Sequence, residues 1–349
     1  MKNSITIINL NIFGFLRLLR CICALLTMTY TLLLTTFPAL AEGNFSKYNA
    51  EFISATKGLK IHVVAPASGT TEPLMRDLYN IKNIELIIPH HCFDRPSAFH
   101  SNSDDIRFKC FKDAILDPTS RIIWALRGGY GSAKIISELK KLPRPPGKIF
   151  IGFSDNTALH LFLTQEWGWA TIHGAGIVEL LSPDKDRLNF VKLAKILTSK
   201  THKPQISGLK PVNSIAQNVL PIKGRLTGGN MTIVQTSIGT DWQIQTQDKI
   251  IFLEDVSIKP YQVDRGLLHL KQAGVFNKVK AIIFGNFDDD NKEIVEILKS
   301  FAHNLNIPVF KTNRFGHRKI NDPIIYNVTS EIAKSSSNDF TLTMNNPVK

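Results

Sequence analysis

Short apolar runs alternate with amphipathic stretches through the first half of this chain. Ile61 to Ala65 is a continuous, β-branched apolar run stopped by Pro66 and Gly69, which predicts a strand. Further strands are predicted at Ile84 to Ile88, Arg121 to Leu126 and Lys148 to Ile151, with helical spacing between or after them at Ser132 to Lys141 and Thr157 to Glu166. Strands alternating with helices call for a mainly parallel sheet covered by helices, with sites at the carboxyl ends of the strands. Residues 42–57 are polar and unpatterned, so this first lobe is placed at 58–200. From 201 to 219 Pro204, Gly208 and Pro211 punctuate a polar stretch without a sustained period, which reads as a linker. A second lobe is placed at 220–345, with strands at Lys249 to Leu253, Val279 to Phe284 and Pro308 to Phe310 and a helix at Val263 to Ala273. Its tail after Glu331 reads as frayed or as an edge. The expected class is α/β, a mainly parallel N-terminal lobe followed by a smaller C-terminal α/β lobe, and 349 residues suffice for both.

The first forty residues follow a different pattern. Lys2, Arg17 and Arg20 precede an uncharged apolar run from Cys21 to Phe37, Pro38 breaks it, and Ala39, Leu40 and Ala41 follow with small residues at the outer positions. That is the shape of a secretory signal with cleavage after Ala41. The alternative is an uncleaved anchor helix, for which the run is short. Neither Cys21 nor Cys23 follows a small-residue lipobox. Both readings put the folded part outside the cytoplasm, periplasmic or otherwise exported, and cleavage leaves no stable membrane insertion.

Charge and cysteine content sharpen this picture. The whole chain carries +13 and residues 1–41 hold three basic and no acidic side chains, so the mature chain keeps +10. Such an excess suits an anionic neighbourhood, yet the Lys and Arg residues are scattered and no nucleic-acid module is present, which disfavours nucleic acid. Two cysteines survive cleavage, Cys92 and Cys110. In an oxidising compartment they either pair or stay as two buried thiols.

Candidate chemistry begins at two strand-glycine-helix turns. Lys148 to Gly152 leads into Phe153, Ser154 and Asp155, after which Asn156 and Thr157 open a helix. A lone serine on a sharp turn resembles a nucleophile elbow, although Asn156 stands where Gly-x-Ser-x-Gly has its second glycine. The competing reading is that Ser154 or Asp155 caps the helix. The strand from Arg121 to Leu126 runs into Arg127, Gly128, Gly129, Tyr130 and Gly131. If it lies beside the first turn, an amide of Gly128 or Gly129 and that of Asp155 converge on an oxyanion. A dinucleotide fingerprint is excluded because its third glycine is missing.

In the second lobe the strand Ile250 to Leu253 ends in Glu254 and Asp255. One of them orients a histidine, or both form ordinary ion pairs, for example with Lys259 or Arg265. A serine needs a base to be nucleophilic at neutral pH. His160 lies on the helix that follows Ser154 and points along it, His62 and His269 fall within predicted elements and read as packing residues, and His90 and His91 beside Cys92 lack a His-Glu-x-x-His signature for zinc. His173, before Gly174, and His317, after Gly316, remain, and local pattern does not choose between them.

Taken together, these motifs resemble the serine LD-carboxypeptidases, which include muramoyl-tetrapeptide carboxypeptidases and the related microcin-immunity peptidases. The markers stand in order: Arg-Gly-Gly-Tyr-Gly at 127–131, Gly-Phe-Ser-Asp at 152–155, Gly-Gly-Asn at 228–230, Phe-Leu-Glu-Asp at 252–255 with Pro260, Tyr261, Asp264 and Arg265 following, and Phe-Gly-His at 315–317. The resemblance implies a triad in which Ser154 attacks, His317 is the base and Glu254 orients it, with oxyanion amides from Gly128 or Gly129 and Asp155. It implies no metal and no cofactor. It also implies an N-terminal lobe like a class I glutamine amidotransferase, a site between the lobes, a homodimer, and a peptidoglycan-derived peptide as substrate. One departure is Ala175 after His173 and Gly174, where family members often have proline. The rival readings are hydrolysis of another peptide amide, as in the immunity branch, and an inactive wall-binding protein that kept the fold.

Overall fold

Ile61 to Val64, Ile122 to Ala125 and Ile149 to Gly152 have no polar face, apart from His62, so their strands need cover on both sides. The computed structural model describes residues 51–81, 84–93, 99–182, 186, 188–335 and 339–348, and the expected leader at 1–41 lies outside them. In it β1 (Lys60–Val64), β2 (Glu85–Ile87), β3 (Ile122–Ala125), β4 (Ile149–Gly152) and β5 (Thr171–His173) run parallel. A short antiparallel strand, β11 (Ile324–Ile325), closes one edge, giving the order β11-β5-β4-β3-β1-β2. Ile122 and Trp124 join one buried cluster with Phe52 and Phe190. Ile123 and Ala125, pointing the other way, join a second with Phe111 of helix Asp104–Leu116 and Phe162 of helix Thr157–Gln165. Each face of the sheet therefore removes its apolar area from water.

The remaining strands close into a barrel. They are β6 (Gln205–Pro211), β7 (Ile222–Asn230), β8 (Lys249–Glu254), β9 (Ala281–Phe284), β10 (Val309–Lys311), β12 (Thr329–Lys334) and β13 (Phe340–Met344), in the order β10-β6-β13-β12-β7-β8-β9. The run from β7 through β8 and β9 to β10 is parallel, and the other pairings are antiparallel. Ile250, Phe252 and Ile283 share the cluster of Leu226, Phe310 and Leu342. Their neighbours Ile251, Leu253 and Phe284 pack with Leu267 and Leu270 of helix Pro260–Gln272 and with Leu298 of helix Lys292–His303.

The structure departs from the sequence reading in three places. The stretch read as a linker contains β6, a barrel strand, and a short helix at Ser214–Gln217. Only Ile206 and Leu209 of β6 point inward, three apart instead of two, because Gly208 (φ 76°) and a register shift against β13 interrupt the alternation. The tail after Glu331 is neither frayed nor an edge: β12 and β13 each have a partner on both sides. The helix expected at Ser132 to Lys141 is a 3-10 turn, Ser132–Ile135, followed by one short α-turn, Ile136–Leu139.

Cys92 and Cys110 form a disulfide that ties the turn after β2 to helix Asp104–Leu116, so both sulfurs beside His91 are committed to each other. A cross-link between residues 18 apart contributes about 3 kcal/mol in the loop-entropy picture. The Cys92→Ala/Cys110→Ala variant is expected to lose about that much stability in urea unfolding, and an unchanged midpoint would refute the cross-link's contribution.

Candidate active site

β4 ends at Gly152, and the chain reverses through Phe153 and Ser154 into helix Thr157–Gln165. Ser154 holds φ 60°, a left-handed conformation that costs an L-residue roughly 1–2 kcal/mol. A Cβ on Gly152 would lie 3.1 Å from Asn156 Cβ and 3.2 Å from Ala125 Cβ, so the turn is tight enough to favour glycine. β3 pairs with β4 in parallel register, Trp124 opposite Ile151. This meets the condition set from sequence: the two glycine turns lie side by side, and a Cβ on Gly128 would fall 2.7 Å from Ser154 Cβ. Asn156 Nδ2 donates to the carbonyls of Arg127 (3.1 Å) and Phe153 (3.2 Å). The Asp155 carboxylate accepts from Ser132 N at 2.8 Å, so Asp155 braces the neighbouring turn instead of capping its own helix. Neither Ser154 nor Asp155 supplies a side-chain cap. Among the described residues the Ser154 hydroxyl makes no hydrogen bond.

On the barrel side the two carboxylates at the end of β8 have separate tasks. His317 donates from Nδ1 to Glu254 Oε2 at 2.7 Å, and Glu254 is fully buried. Asp255 accepts from Asn230 Nδ2 (3.0 Å) and from the backbone (2.9 Å) and hydroxyl (2.7 Å) of Thr232, which fixes the start of helix Met231–Thr236. The ion pairs considered with Lys259 and Arg265 are therefore not what these acids make. Burial alone would raise the Glu254 carboxyl, but the charge and hydrogen bond of His317 outweigh it and hold it below the usual carboxylate range. Burial likewise lowers His317, and here the Glu254 charge and hydrogen bond, helped by Asp255 and Glu179, leave it above its ordinary value. The two shifts agree: each partner stabilises the other's charged form.

His317 is brought there by a pinned loop. Gly316 has φ 129° and would press a Cβ to 3.0 Å from Asn286 Cβ, while Asn286 N donates to Phe315 O at 2.9 Å. Phe153 packs against the imidazole, ring centroids 4.9 Å apart. The other histidines are accounted for differently. His173 is fully buried among Phe153, Phe252 and Phe315, and burial pushes it down to about 4, so it stays neutral. His160 hydrogen-bonds through Nε2 to Gly152 O (2.9 Å) and through Nδ1 to Thr171 Oγ1 (2.8 Å), which makes it a strut beneath the turn. His62 is bound to Asp117 at 2.6 Å. Helix Pro260–Gln272 carries His269 on its exposed side, so this one is not a packing residue.

Gly-Gly-Asn acquires a role that the sequence alone did not assign. Gly228 (φ 126°) and Gly229 (φ 115°) let the end of β7 press against helix Thr157–Gln165: a Cβ on Gly229 would lie 2.6 Å from both Thr157 Oγ1 and the Tyr326 hydroxyl. Asn230 N donates to Thr157 Oγ1 at 3.0 Å. The motif joins the barrel to the helix that starts at the Ser154 turn. Ala175, the departure from the family pattern, is buried and accepts a hydrogen bond from Trp124 Nε1 at 2.8 Å.

Ser154 and His317 line one cavity of about 490 Å³, whose walls include Gly128, Gly129 and Phe153. A hydroxyl on a strained turn, an imidazole whose Nδ1 is already occupied, and backbone amides at glycine turns are the parts that acyl transfer needs. The carboxyl ends of β3, β4 and β8 supply the turns and Glu254, and the loop after β10 supplies His317.

Comparison with known proteins agrees with this geometry. Residues 61–174 match the LD-carboxypeptidase N-terminal domain and residues 223–332 the LD-carboxypeptidase C-terminal domain. A Rickettsia conorii protein, whose name places it only provisionally among carboxypeptidases, is 54% identical over 82% of this chain and 91% of its own length. The murein tetrapeptide carboxypeptidase of Pseudomonas aeruginosa is 25% identical over 74% of this chain and 88% of its own. The crystal structure of muramoyltetrapeptide carboxypeptidase from Oxalobacter formigenes shares the fold, with a TM-score of 0.69 at 22% identity over 83% of this chain and 100% of that one. With both domains matched and a relative this similar along most of its length, the chain is a serine carboxypeptidase and belongs to the LD-carboxypeptidase family.

Proposed function

We propose that this protein is exported and removes the terminal D-alanine from tetrapeptide stems of peptidoglycan through an acyl-enzyme on Ser154. The observation that carries the reading is the meeting of Ser154 and the Glu254–His317 pair at one cavity between sheet and barrel. Glu254 accepts from Nδ1–H, so the lone pair of the neutral imidazole, the one that can take a proton, is on Nε2 of His317. As substrate enters, the Ser154 hydroxyl and Nε2 close to hydrogen-bonding distance, a contact that often tightens only with substrate bound. Ser154 Oγ attacks the scissile carbonyl as Nε2 accepts its proton, and the amides of Gly128 or Gly129 and of Asp155 hold the oxyanion. Collapse breaks the C–N bond, the leaving amine takes the proton from His317, and water repeats the sequence on the ester. Export rests on the leader at 1–41: the mature protein is expected in the periplasmic fraction with Glu42 as its first residue.

His317 must be neutral to act as base. Its ordinary value is 6.5 and the structure raises it, so kcat/KM should fall with decreasing pH along a limb whose midpoint lies above 6.5. Glu254→Gln removes the charge that raises it and should move the midpoint down. A wild-type midpoint below 6.5 would contradict this electrostatic arrangement.

Digestion of purified muropeptides followed by mass spectrometry tests the substrate. Stems ending in diaminopimelate and D-alanine should lose one D-alanine, because their scissile carbonyl belongs to an L-centre. Pentapeptides ending in two D-alanines present a D-centre, in mirror arrangement, and should be poor substrates. Preferential attack on pentapeptides, or none on tetrapeptides while Ser154 stays reactive, would reassign the fold to another peptide amide.

A further inference from the structure

We infer that Arg127 binds the free carboxylate of the departing residue and so makes the enzyme an exopeptidase; this rests on the peptidase reading above. Among the described residues, Arg127 is the only Lys or Arg side chain lining the cavity that holds Ser154 and His317. It is exposed, and among the described residues its guanidinium makes no hydrogen bond and no ion pair. Its backbone, in contrast, is fixed. Its carbonyl accepts from Asn156 Nδ2 at 3.1 Å, and a Cβ on Gly176 would lie 2.8 Å from its Cα. The next residue, Gly128, is the one whose added Cβ would touch Ser154. A cation without a partner among the described residues thus follows a rigid strand end, one residue before the glycine that abuts Ser154.

Among the described residues this cation has no structural partner, and its chemistry selects the ligand. Guanidinium grips a carboxylate with two parallel N–H bonds, fixing orientation as well as charge. In a carboxypeptidase substrate that carboxylate lies one carbon beyond the scissile nitrogen, so whatever binds it must stand beside the nucleophile. Leu74, Val178 and Leu181 add apolar wall to the cavity, suited to a small side chain such as the methyl of alanine.

The experiment compares a tetrapeptide stem with a free C-terminus against its C-terminal amide, in wild type, Arg127→Met and Arg127→Lys, alongside the rate at which an alkyl fluorophosphonate labels Ser154. Wild type should prefer the free acid. Arg127→Met should lose about 100-fold in kcat/KM on the acid, chiefly through KM, with the amide nearly unaffected, so the preference collapses. Arg127→Lys should keep part of it, since charge remains and the fork does not. Labelling should stay within about twofold in every variant, showing an intact fold and site. An acid-over-amide preference that survives in Arg127→Met would overturn the assignment. A wild type that labels at Ser154 yet cleaves neither peptide would instead remove the peptidase reading beneath it.

Discussion

Ser154→Ala should abolish turnover, by roughly 10⁴-fold or more, while leaving the fold intact. The two halves of this expectation have different origins. The loss follows from chemistry: without Oγ nothing at the turn can form the ester, and oxyanion amides alone retain only a residual rate. Survival of the fold follows from structure. The hydroxyl has no hydrogen bond among the described residues. The turn is held by Asn156 and Asp155, and alanine is smaller where Gly128 already presses closely. Circular dichroism and thermal melting should match wild type as steady-state hydrolysis disappears. Turnover within tenfold of wild type would mean that the serine is not the nucleophile.

Glu254→Gln should cost roughly 10²- to 10⁴-fold in kcat. Glutamine fits the same space, but one of its terminal groups is a donor. If the NH₂ faces His317, Nδ1 must accept and the proton moves to Nε2, the wrong tautomer for a base. If the oxygen faces it, the imidazolium formed during attack still lacks its anion, in a site where Glu254 is fully buried and water does not substitute. Asp255→Asn is the informative contrast. Its oxygens accept from Asn230, Thr232 and the Val256 amide, so its loss should appear as reduced stability more than as reduced turnover. Activity assays on both variants, each with a urea unfolding curve, separate the roles, and equal activity losses at equal stability would contradict the division.

Much of the first sheet was legible in the sequence because its strands are continuous apolar runs, and their ends fell within a residue or two of β1, β3 and β4. The barrel was less so. β8 and β9 are apolar runs of the same kind, whereas β6 has its inward residues at irregular spacing and reads as a loop. β13 does alternate, with Phe340, Leu342 and Met344 buried and Thr341 and Thr343 between them, but its neighbours on both sides come from elsewhere in the chain. No local pattern announces that a terminal strand will be enclosed. Likewise, β11 returns from the second lobe to pair with β5, a contact that only topology supplies. At the site, the turn bearing Ser154 and the acids ending β8 were visible as motifs. The choice of Glu254 over Asp255 and of His317 over His173 was not, because it depends on which side chains face each other across the two lobes. Only the resemblance pointed to that pair before the geometry was known, and Gly-Gly-Asn was recognised as a marker without its packing role.

The most direct measurement is covalent labelling. Intact protein treated with an alkyl fluorophosphonate should gain the mass of one phosphonyl group, peptide mapping should place it on Ser154, and hydrolysis of tetrapeptide stems should fall in step with the labelled fraction. His317→Ala should label far more slowly, since the base that activates the serine is gone. Label found elsewhere, or full hydrolysis by protein fully labelled at Ser154, would contradict the account.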